Sequence, residues 1–503
     1  MSIKHNILAS YVSQIYTTLI GIAMVPMYVR YMGVEAYGLV GFFAMAQAWF
    51  QLLDMGLTPT MARETARYGG GAGEAADLRL LLRSLEFVFV AVGIVGGAAM
   101  LLGSQLIATH WLKVQKLPVM EVQHSVMLMA GVVSLRWMCG LYRGAITGFE
   151  RLVWLSGFNS TIASARFILV IPFFIYVGTT PTLFFGYQLA LAAVELAVLL
   201  ARTYQLMPHV NILQQSNGPW GPLRRTLRFS LTIAFTSSIW VMVTQVDKLL
   251  LSTLLPLAEY AYFTLAVVAA GGVMLISIPV SNALMPRMAN LEASRSEVEL
   301  YQLYHHATQI VSVIAIPTCF VLAFFSVTVL WAWTGDLTAA TNAAPILRLY
   351  AIGNGLLVLA AFPYYLQYAK GELRMHVIGN ILFAVILIPA LLISTTHYGG
   401  FGAACTWVAV NAFSFLIWVP LVHRRFLKGL HWQWLKGDIF QVAVFSLLSI
   451  LPFYIFLPRP ETRGAAIIAL MGVGAIVISA GALGSPLMRQ ALLRKVRKTP
   501  FKP

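Results

Sequence analysis

The chain is dominated by a succession of long, unbroken apolar runs. They lie at about 7–29, 38–60, 84–108, 119–142, 153–177, 182–204, 229–252, 258–285, 305–329, 342–363, 376–394, 400–422, 438–457 and 464–484. A helix needs about 20 apolar residues to cross a bilayer core. Only helices and closed barrels can cross it, because every backbone polar group must find its partner without water. Barrel strands would alternate apolar and polar residues, whereas these runs are continuous. The sequence therefore predicts an all-α, polytopic membrane protein with about 14 transmembrane helices. Hydrophobic types make up 59% of the 503 residues and charged types 10%. A soluble domain carries about 25% charge, so a soluble enzyme, a disordered tail and a disulfide scaffold are excluded. Cys139, Cys319 and Cys405 each sit in an apolar run and read as small packing residues, with no metal-ligand spacing. The first run follows a single basic residue, Lys4. It is long enough to span, so it is expected to be a retained helix rather than a cleaved signal.

The net charge is +16. In a soluble chain this would suggest nucleic acid; here it follows topology. With the N-terminus inside and the spans alternating, 25 of the 34 basic residues fall on the inner side and 5 outside. That bias matches the positive-inside rule and places both termini in the cytoplasm. The remaining four, Arg136, Arg166, Lys248 and Arg348, fall within spans, together with Asp54, Glu195 and Asp247.

A weak internal repeat is visible. Glu35-Ala36-Tyr37 is echoed by Glu259-Tyr260, Arg63 by Arg287, and Gly148-Phe149-Glu150-Arg151 by Gly371 to Arg374, at offsets of about 223 residues. Six spans fit within that period, so the two halves would share one orientation, as in transporters built from parallel repeats. Coincidence among hydrophobic helices is the alternative. The expected organisation is an N-terminal six-helix lobe at 1–210 and a cytoplasmic linker at 211–228. A C-terminal six-helix lobe at 229–423 follows, then two additional helices with a basic tail at 424–503.

Catalytic motifs are absent. The chain has no Gly-Lys pair, hence no Walker A loop. Neither a zinc-protease helix motif nor a Gly-x-Ser-x-Gly elbow occurs. No run outside the membrane is large enough for a catalytic domain. These features favour transport over catalysis, with no cofactor or metal.

The intramembrane charges carry the functional information. A charge at mid-bilayer costs about 2.5–3.5 kcal/mol on insertion scales, so these side chains are expected to face protein or a wet cavity. Arg166 lies near the middle of the fifth span and Glu195 near the middle of the sixth. Two roles are open to Arg166: a cavity cation gripping an anionic head group, which guanidinium suits by binding two oxygens at once, or an ion pair with Glu195. They are compatible if the pair opens during transport. Lys248 and Arg348 lie toward outer ends, where snorkelling is the alternative. Arg136 and Asp54 lie toward inner ends, where structural roles compete. Arg30, at the outer end of the first span, completes a candidate cationic cavity of Arg166, Lys248, Arg348, Arg30 and Arg136. Candidates for coupling or gating are Asp54, Glu195, Asp247 and Pro26. Polar stripes at Gln14, Thr18 and Gly21 and at Ser237, Thr244 and Lys248 would line a cavity or join helices. Pro172, Pro279 and Pro317 also interrupt spans. His305 and His306 open the ninth span and are candidates for proton coupling or plain interface residues.

These residues resemble a family. Arg30-Tyr31-Met32-Gly33-Val34-Glu35-Ala36-Tyr37-Gly38-Leu39, Leu53-Asp54-Met55-Gly56, Gly144 to Arg151, Asp247 to Tyr260, Leu284-Met285-Pro286-Arg287, Gly371-Glu372 and Gly399 to Ala404 are similar to the bacterial polysaccharide transport proteins. These form the O-antigen flippase group of a superfamily that also holds lipid II flippases and multidrug and toxin extruders. The resemblance covers about the first 420 residues. It implies two lobes opening alternately to each face, coupled to an ion gradient in the bacterial inner membrane. The implied substrate is an oligosaccharide on undecaprenyl diphosphate, turned over to the periplasmic leaflet. A polysaccharide polymerase and chain-length partners would act on it there. Membrane lipids are the other partners, and nucleic acid is not one. Rival readings are a multidrug extruder of the same fold and a membrane-embedded enzyme of polysaccharide assembly. The last two helices depart from the twelve-helix pattern and could line a groove for the lipid tail.

Overall fold

The computed structural model describes residues 3–71, 74–208, 238–239, 241–427 and 429–490. All regular elements among them are helices. The chain divides into two compact units, Met1–Ala261 and Tyr262–Pro503. The expected linker at 211–228 lies outside the described residues.

The first unit contains α1 (Ile3–Met32), α2 (Val34–Phe50), α3 (Leu57–Gly69), α4 (Ala75–Leu102), α5 (Val119–Gly148), α6 (Leu152–Phe167), α7 (Val170–Tyr176) and α8 (Pro181–Leu206). Helix α9 (241–254) and the start of α10 (Leu257–Gly271) complete it. The second unit continues with α11 (Ser277–Ala293), α12 (Glu297–Phe324), α13 (Ser326–Thr334), α14 (Leu337–Ala360), α15 (Phe362–Ala369), α16 (Arg374–Phe413) and α17 (Val419–Phe426). A widened turn at 430–440 leads into α18 (Gln441–Phe456) and α19 (Arg463–Gly484).

Among the described residues, 12 helical stretches are long and apolar enough to cross a membrane. One of them, Arg374–Phe426, has 53 residues. At about 1.5 Å per residue it would far exceed a bilayer core of about 30 Å if straight. It turns instead at Gly399, whose φ of 55° and ψ of −137° lie outside helical space. The Ser394 and Thr406 hydroxyls meet at 2.7 Å across the turn, so the stretch is a hairpin of two spans. Residues 229–237 and 240 of the seventh expected span, 229–252, lie outside the described residues.

Hydropathy marked the apolar part of each helix and missed polar ends. Helix α4 starts at Ala75 rather than near 84, and α12 at Glu297 rather than 305. The run 38–60 is broken at Met55 and Gly56, both with positive φ. Helix α4 buries Leu78, Leu82, Leu85 and Phe89 and exposes Phe87, Ile94, Val95 and Leu102. Apolar on both sides, it has one face for protein and one for lipid.

Two pairs of helix ends close in similar ways. After α5, Glu150 has φ 57°, its N–H bonds the Thr147 carbonyl, and the Arg151 N–H reaches back to Ile146. After α15, Gly371 has φ 68°, with the same two bonds to Tyr368 and from Glu372 to Gln367. Both are Schellman caps, so Glu150 corresponds to Gly371. Two residues beyond α3 and α11, Gly71 and Arg295 lie 224 residues apart, and both have positive φ.

Candidate functional site

Helix α5 organises the first unit. Gly140, Gly144 and Gly148 recur every four residues and form one stripe. A Cβ at Gly144 would lie 2.6 Å from the Thr58 carbonyl, and one at Gly140 3.2 Å from the Thr58 hydroxyl. These glycines let α3 lie directly against α5. The direction of α3 is set by the turn at Met55-Gly56, and Asp54 caps its first turn. Its carboxylate accepts the Thr58 N–H at 3.2 Å and the Thr58 hydroxyl at 2.6 Å. The motif Leu53 to Gly56 is thus a helix-start device whose capping carboxylate also faces a cavity.

Other motif residues have similar work. Gly33 has φ 88° and separates α1 from α2. The buried Glu35 carboxylate accepts the backbone N–H groups of Gln115, Lys116 and Leu117 at 2.5–3.1 Å. A Cβ at Gly38 would lie 2.5 Å from the Leu257 carbonyl, so only glycine allows that approach.

A cavity of about 780 Å³ opens within this unit. Its lining includes Ser10, Gln14 and Thr18 of α1, Asp54 and Thr58, Arg136 and Arg143 of α5, Asn159 and Arg166 of α6, and Glu195 of α8. Arg136 and Arg143 are seven residues apart, two turns on one helix face. At the centre, Glu195 is held between two guanidinium groups. Its Oε1 accepts from Arg143 at 2.6 Å and its Oε2 from Arg166 at 2.9 Å. The Glu195 side chain is 3% exposed, that of Arg143 31% and that of Arg166 23%. Arg143 also donates to Asn159. Arg136 donates to Gln188 at 2.5 Å and lies over the Phe43 ring.

Helix α6 ends at Phe167, just before Pro172, and α7 resumes at Val170. Proline cannot donate the next helical bond. The carbonyls of the last turn are taken by side chains: Ala165 by the Tyr187 hydroxyl at 2.6 Å, Arg166 by Tyr28 at 3.3 Å and Gln188 at 3.4 Å. This anchoring fixes the backbone from which Arg166 reaches Glu195. Serines tie α6 to α1, with Ser13 donating to the Ser156 carbonyl and Ser160 to Ser13.

Three guanidinium groups face two carboxylates, one of them committed to a helix cap. The Nε atoms of Arg136 and Arg166 are buried without an acceptor. A buried unpaired donor is costly, and anionic oxygen atoms would satisfy both. Among the described residues, no cluster of three or more His, Cys, Asp or Glu side chains that could hold a metal ion occurs.

The expected cations do not all share this cavity. Arg136 and Arg166 do, along with Asp54 and Glu195. Arg30 is exposed in the last turn of α1, and Pro26 lies within the same unbroken helix. Lys248 donates to Gln245 at 2.9 Å, and its own N–H bonds the buried Asp247; none of these four lines the cavity. Arg348 belongs to the second unit, where its Nε bonds the Ala323 carbonyl and it borders a separate cavity of about 400 Å³. Of the polar stripes, Gln14 and Thr18 line the first cavity. Gly21 instead packs on Phe167, and Ser237 lies outside the described residues. Arg143 was missed, because the expected span ended at residue 142 and assigned it to an inner loop. Its spacing from Arg136 was the available signal.

A family model described as polysaccharide biosynthesis protein matches residues 3–292. Among solved structures, lipid II flippase MurJ in an inward closed conformation aligns with a TM-score of 0.70 at 13% identity, covering 98% of this chain and 100% of that one. An inward-facing multidrug resistance MATE family transporter of the MOP superfamily aligns at 0.64 and 16% identity, covering 82% and 96%. A MOP superfamily transporter from Pyrococcus furiosus, described by a binding pocket of reverse polarity, aligns at 0.52 and 15% identity, covering 83% and 94%. At such identities the likeness establishes the fold. No curated protein sequence matches the chain. The chain is therefore a multi-pass membrane protein that belongs to the polysaccharide biosynthesis protein family and has the fold shared by lipid II flippase and MATE transporters.

Proposed function

We propose that this protein is a flippase for oligosaccharides linked to undecaprenyl diphosphate, the repeat units of O-antigen or a related surface polysaccharide. It acts in the bacterial inner membrane with both termini cytoplasmic, moving its cargo to the periplasmic leaflet by alternating access coupled to an ion gradient. The observation that carries this reading is the cavity of Arg136, Arg143 and Arg166 around the single bridging carboxylate of Glu195. Guanidinium pairs with phosphate as it does with carboxylate, by two parallel N–H···O bonds. A diphosphate entering the cavity therefore competes with Glu195 for Arg143 and Arg166 on equal chemical terms. Binding would exchange one counter-anion for another at the two guanidinium groups, and the displaced Glu195 carboxylate, still charged, would favour release by reclaiming both cations. A volume of about 780 Å³ lies within the range of about 300–1,000 Å³ typical of ligand pockets. The oligosaccharide hydroxyls would find Gln14, Thr18 and Asn159.

The extruder reading is disfavoured by the excess of cations over acids, since a cationic drug would be repelled. The test is Arg166→Ala in the native host. Surface polysaccharide should be lost while protein level in the membrane stays normal, with lipid-linked repeat units accumulating on the cytoplasmic leaflet. Unchanged surface polysaccharide would overturn the proposal.

A further inference from the structure

We propose that His305 and Asp438 form a proton-binding site in the second unit, through which transport is driven by a proton gradient. Asp438 lies in the widened turn before α18 and is 2% exposed. It contacts His305 Nδ1, and its other oxygen accepts the Gln309 amide at 2.8 Å. Gln309, one turn beyond His305 on α12, receives the Ser485 hydroxyl at 2.6 Å and the Leu487 N–H at 2.8 Å. Three separate segments are thus joined through Asp438 and Gln309: α12, the turn at 430–440 and the stretch that follows α19.

The charge count identifies the ligand. Among the described residues no Lys or Arg bonds Asp438; His305 is its ion-pair partner. With a neutral imidazole the pair carries one buried negative charge, which is expensive without a counter-charge. One added proton makes the pair neutral overall, as imidazolium with carboxylate or imidazole with carboxylic acid. The site therefore has a place for a single proton. The Nε2 of His305 is buried without a partner, so no second group competes for that role.

The surrounding titratable groups do not replace this proton. From α12, Tyr301 stacks edge-on against His305 at 4.4 Å, Tyr304 bonds His423 Nε2 at 2.7 Å, and His306 is exposed. From α17 and the turn, His423 Nδ1 faces His431 Nδ1 at 3.1 Å. That contact holds a single hydrogen, so at most one of those two rings is cationic while it persists. Lys436 lies over Trp432, and Arg489 donates to Gln441. Tyr301 also bonds the exposed Gln433.

The mechanical consequence lies in the same network. Gln309 bonds Asp438 with its amide and the post-α19 stretch with its carbonyl. Loading a proton changes what Asp438 accepts, and so the hold of α12 on the last two helices. The inference depends on the flippase reading only for the cargo.

The experiment uses the full-length protein, wild type, Asp438→Asn and His305→Gln. One arm follows the infrared carboxylic-acid and imidazole-ring bands in detergent between about pH 5 and 8, so that the proton is seen on either partner. The other follows transport of an undecaprenyl-diphosphate oligosaccharide in proteoliposomes with and without a pH gradient. A titrating carboxyl or imidazole band that is lost in D438N, with gradient stimulation at least tenfold weaker in both variants and cargo affinity within threefold of wild type, is the expected result. D438N that retains full gradient stimulation, or a wild type with no titrating band lost in D438N, overturns the proton site. A wild type that transports but ignores the pH gradient overturns the coupling. If D438N fails to fold, H305Q and the wild-type band decide in the same way. A wild type that binds no cargo overturns the flippase reading and leaves the infrared arm to decide the proton site alone.

Discussion

Replacing Glu195 by glutamine removes the negative charge that Arg143 and Arg166 share, at 2.6 Å and 2.9 Å, while keeping an oxygen that can still accept one of their N–H groups. A phosphate on the far edge of either guanidinium would sit about 6 Å from the Glu195 carboxylate. At an effective dielectric of about 20, that repulsion is about 3 kcal/mol. The two arginines are 31% and 23% exposed, so water in the cavity reduces this by up to half, leaving about 1.5–3 kcal/mol. Glu195→Gln should therefore bind farnesyl or undecaprenyl diphosphate about 10–100-fold more tightly, since about 1.4 kcal/mol is a factor of ten. Release should slow, so surface polysaccharide should fall even as affinity rises. The assay is calorimetric titration of purified protein at fixed ionic strength, with a thermal melt beside it. The substitution also trades charge-assisted hydrogen bonds for a neutral one, a loss of about 1–3 kcal/mol in stability, which the melt reads separately. A merely structural Glu195 would give a weaker site in a looser protein. Unchanged or reduced affinity with an intact melting transition would refute the competition of Glu195 with the anion.

Other outcomes follow from the same geometry. Arg166→Lys keeps the charge but loses the planar fork, so it should restore part of the surface polysaccharide that Arg166→Ala removes, as measured by the lipopolysaccharide ladder. Gly144→Ala places a Cβ 2.6 Å from the Thr58 carbonyl and should destabilise by about 1–3 kcal/mol. Gly157→Ala, with nothing within 4 Å, should leave the melting temperature unchanged. Glu35→Ala frees three backbone N–H groups, and hydrogen exchange at Gln115 to Leu117 should accelerate at least tenfold. Asp54→Ala removes the cap of α3 at a cost of about 1 kcal/mol, whereas Asp54→Asn, which keeps an acceptor for Thr58, should cost less in the same melt.

Much of the architecture was legible because the cost of crossing a bilayer is local. Each stretch of about 20 residues either can or cannot be inserted, so the helix positions could be read one at a time. Departures occurred at boundaries, where polar ends extend beyond the apolar run, as at Ala75 and Glu297, or where a turn interrupts one, as at Met55-Gly56. The family motifs were visible as strings, but their reasons were not. Gly38 matters because the Leu257 carbonyl lies against it, and Glu35 because the Gln115–Leu117 backbone does. Those partners are far away in sequence.

The sequence by itself determined that this is a polytopic helical membrane protein, and that charged residues buried in its spans must face protein or water. Desolvation is a property of each residue and its neighbours along the chain. Which charges meet depends on how the helices pack. The packing joined Arg143, assigned by hydropathy to a loop, with Arg166 and Glu195, and set Arg30 and Lys248 outside that cavity. It also gave His305 a buried carboxylate 133 residues away. Hydropathy reports how deep a side chain lies but not its angle around the helix or which helix stands opposite. Those are set by packing, through glycine stripes such as Gly140, Gly144 and Gly148, serine contacts and the break at Pro172.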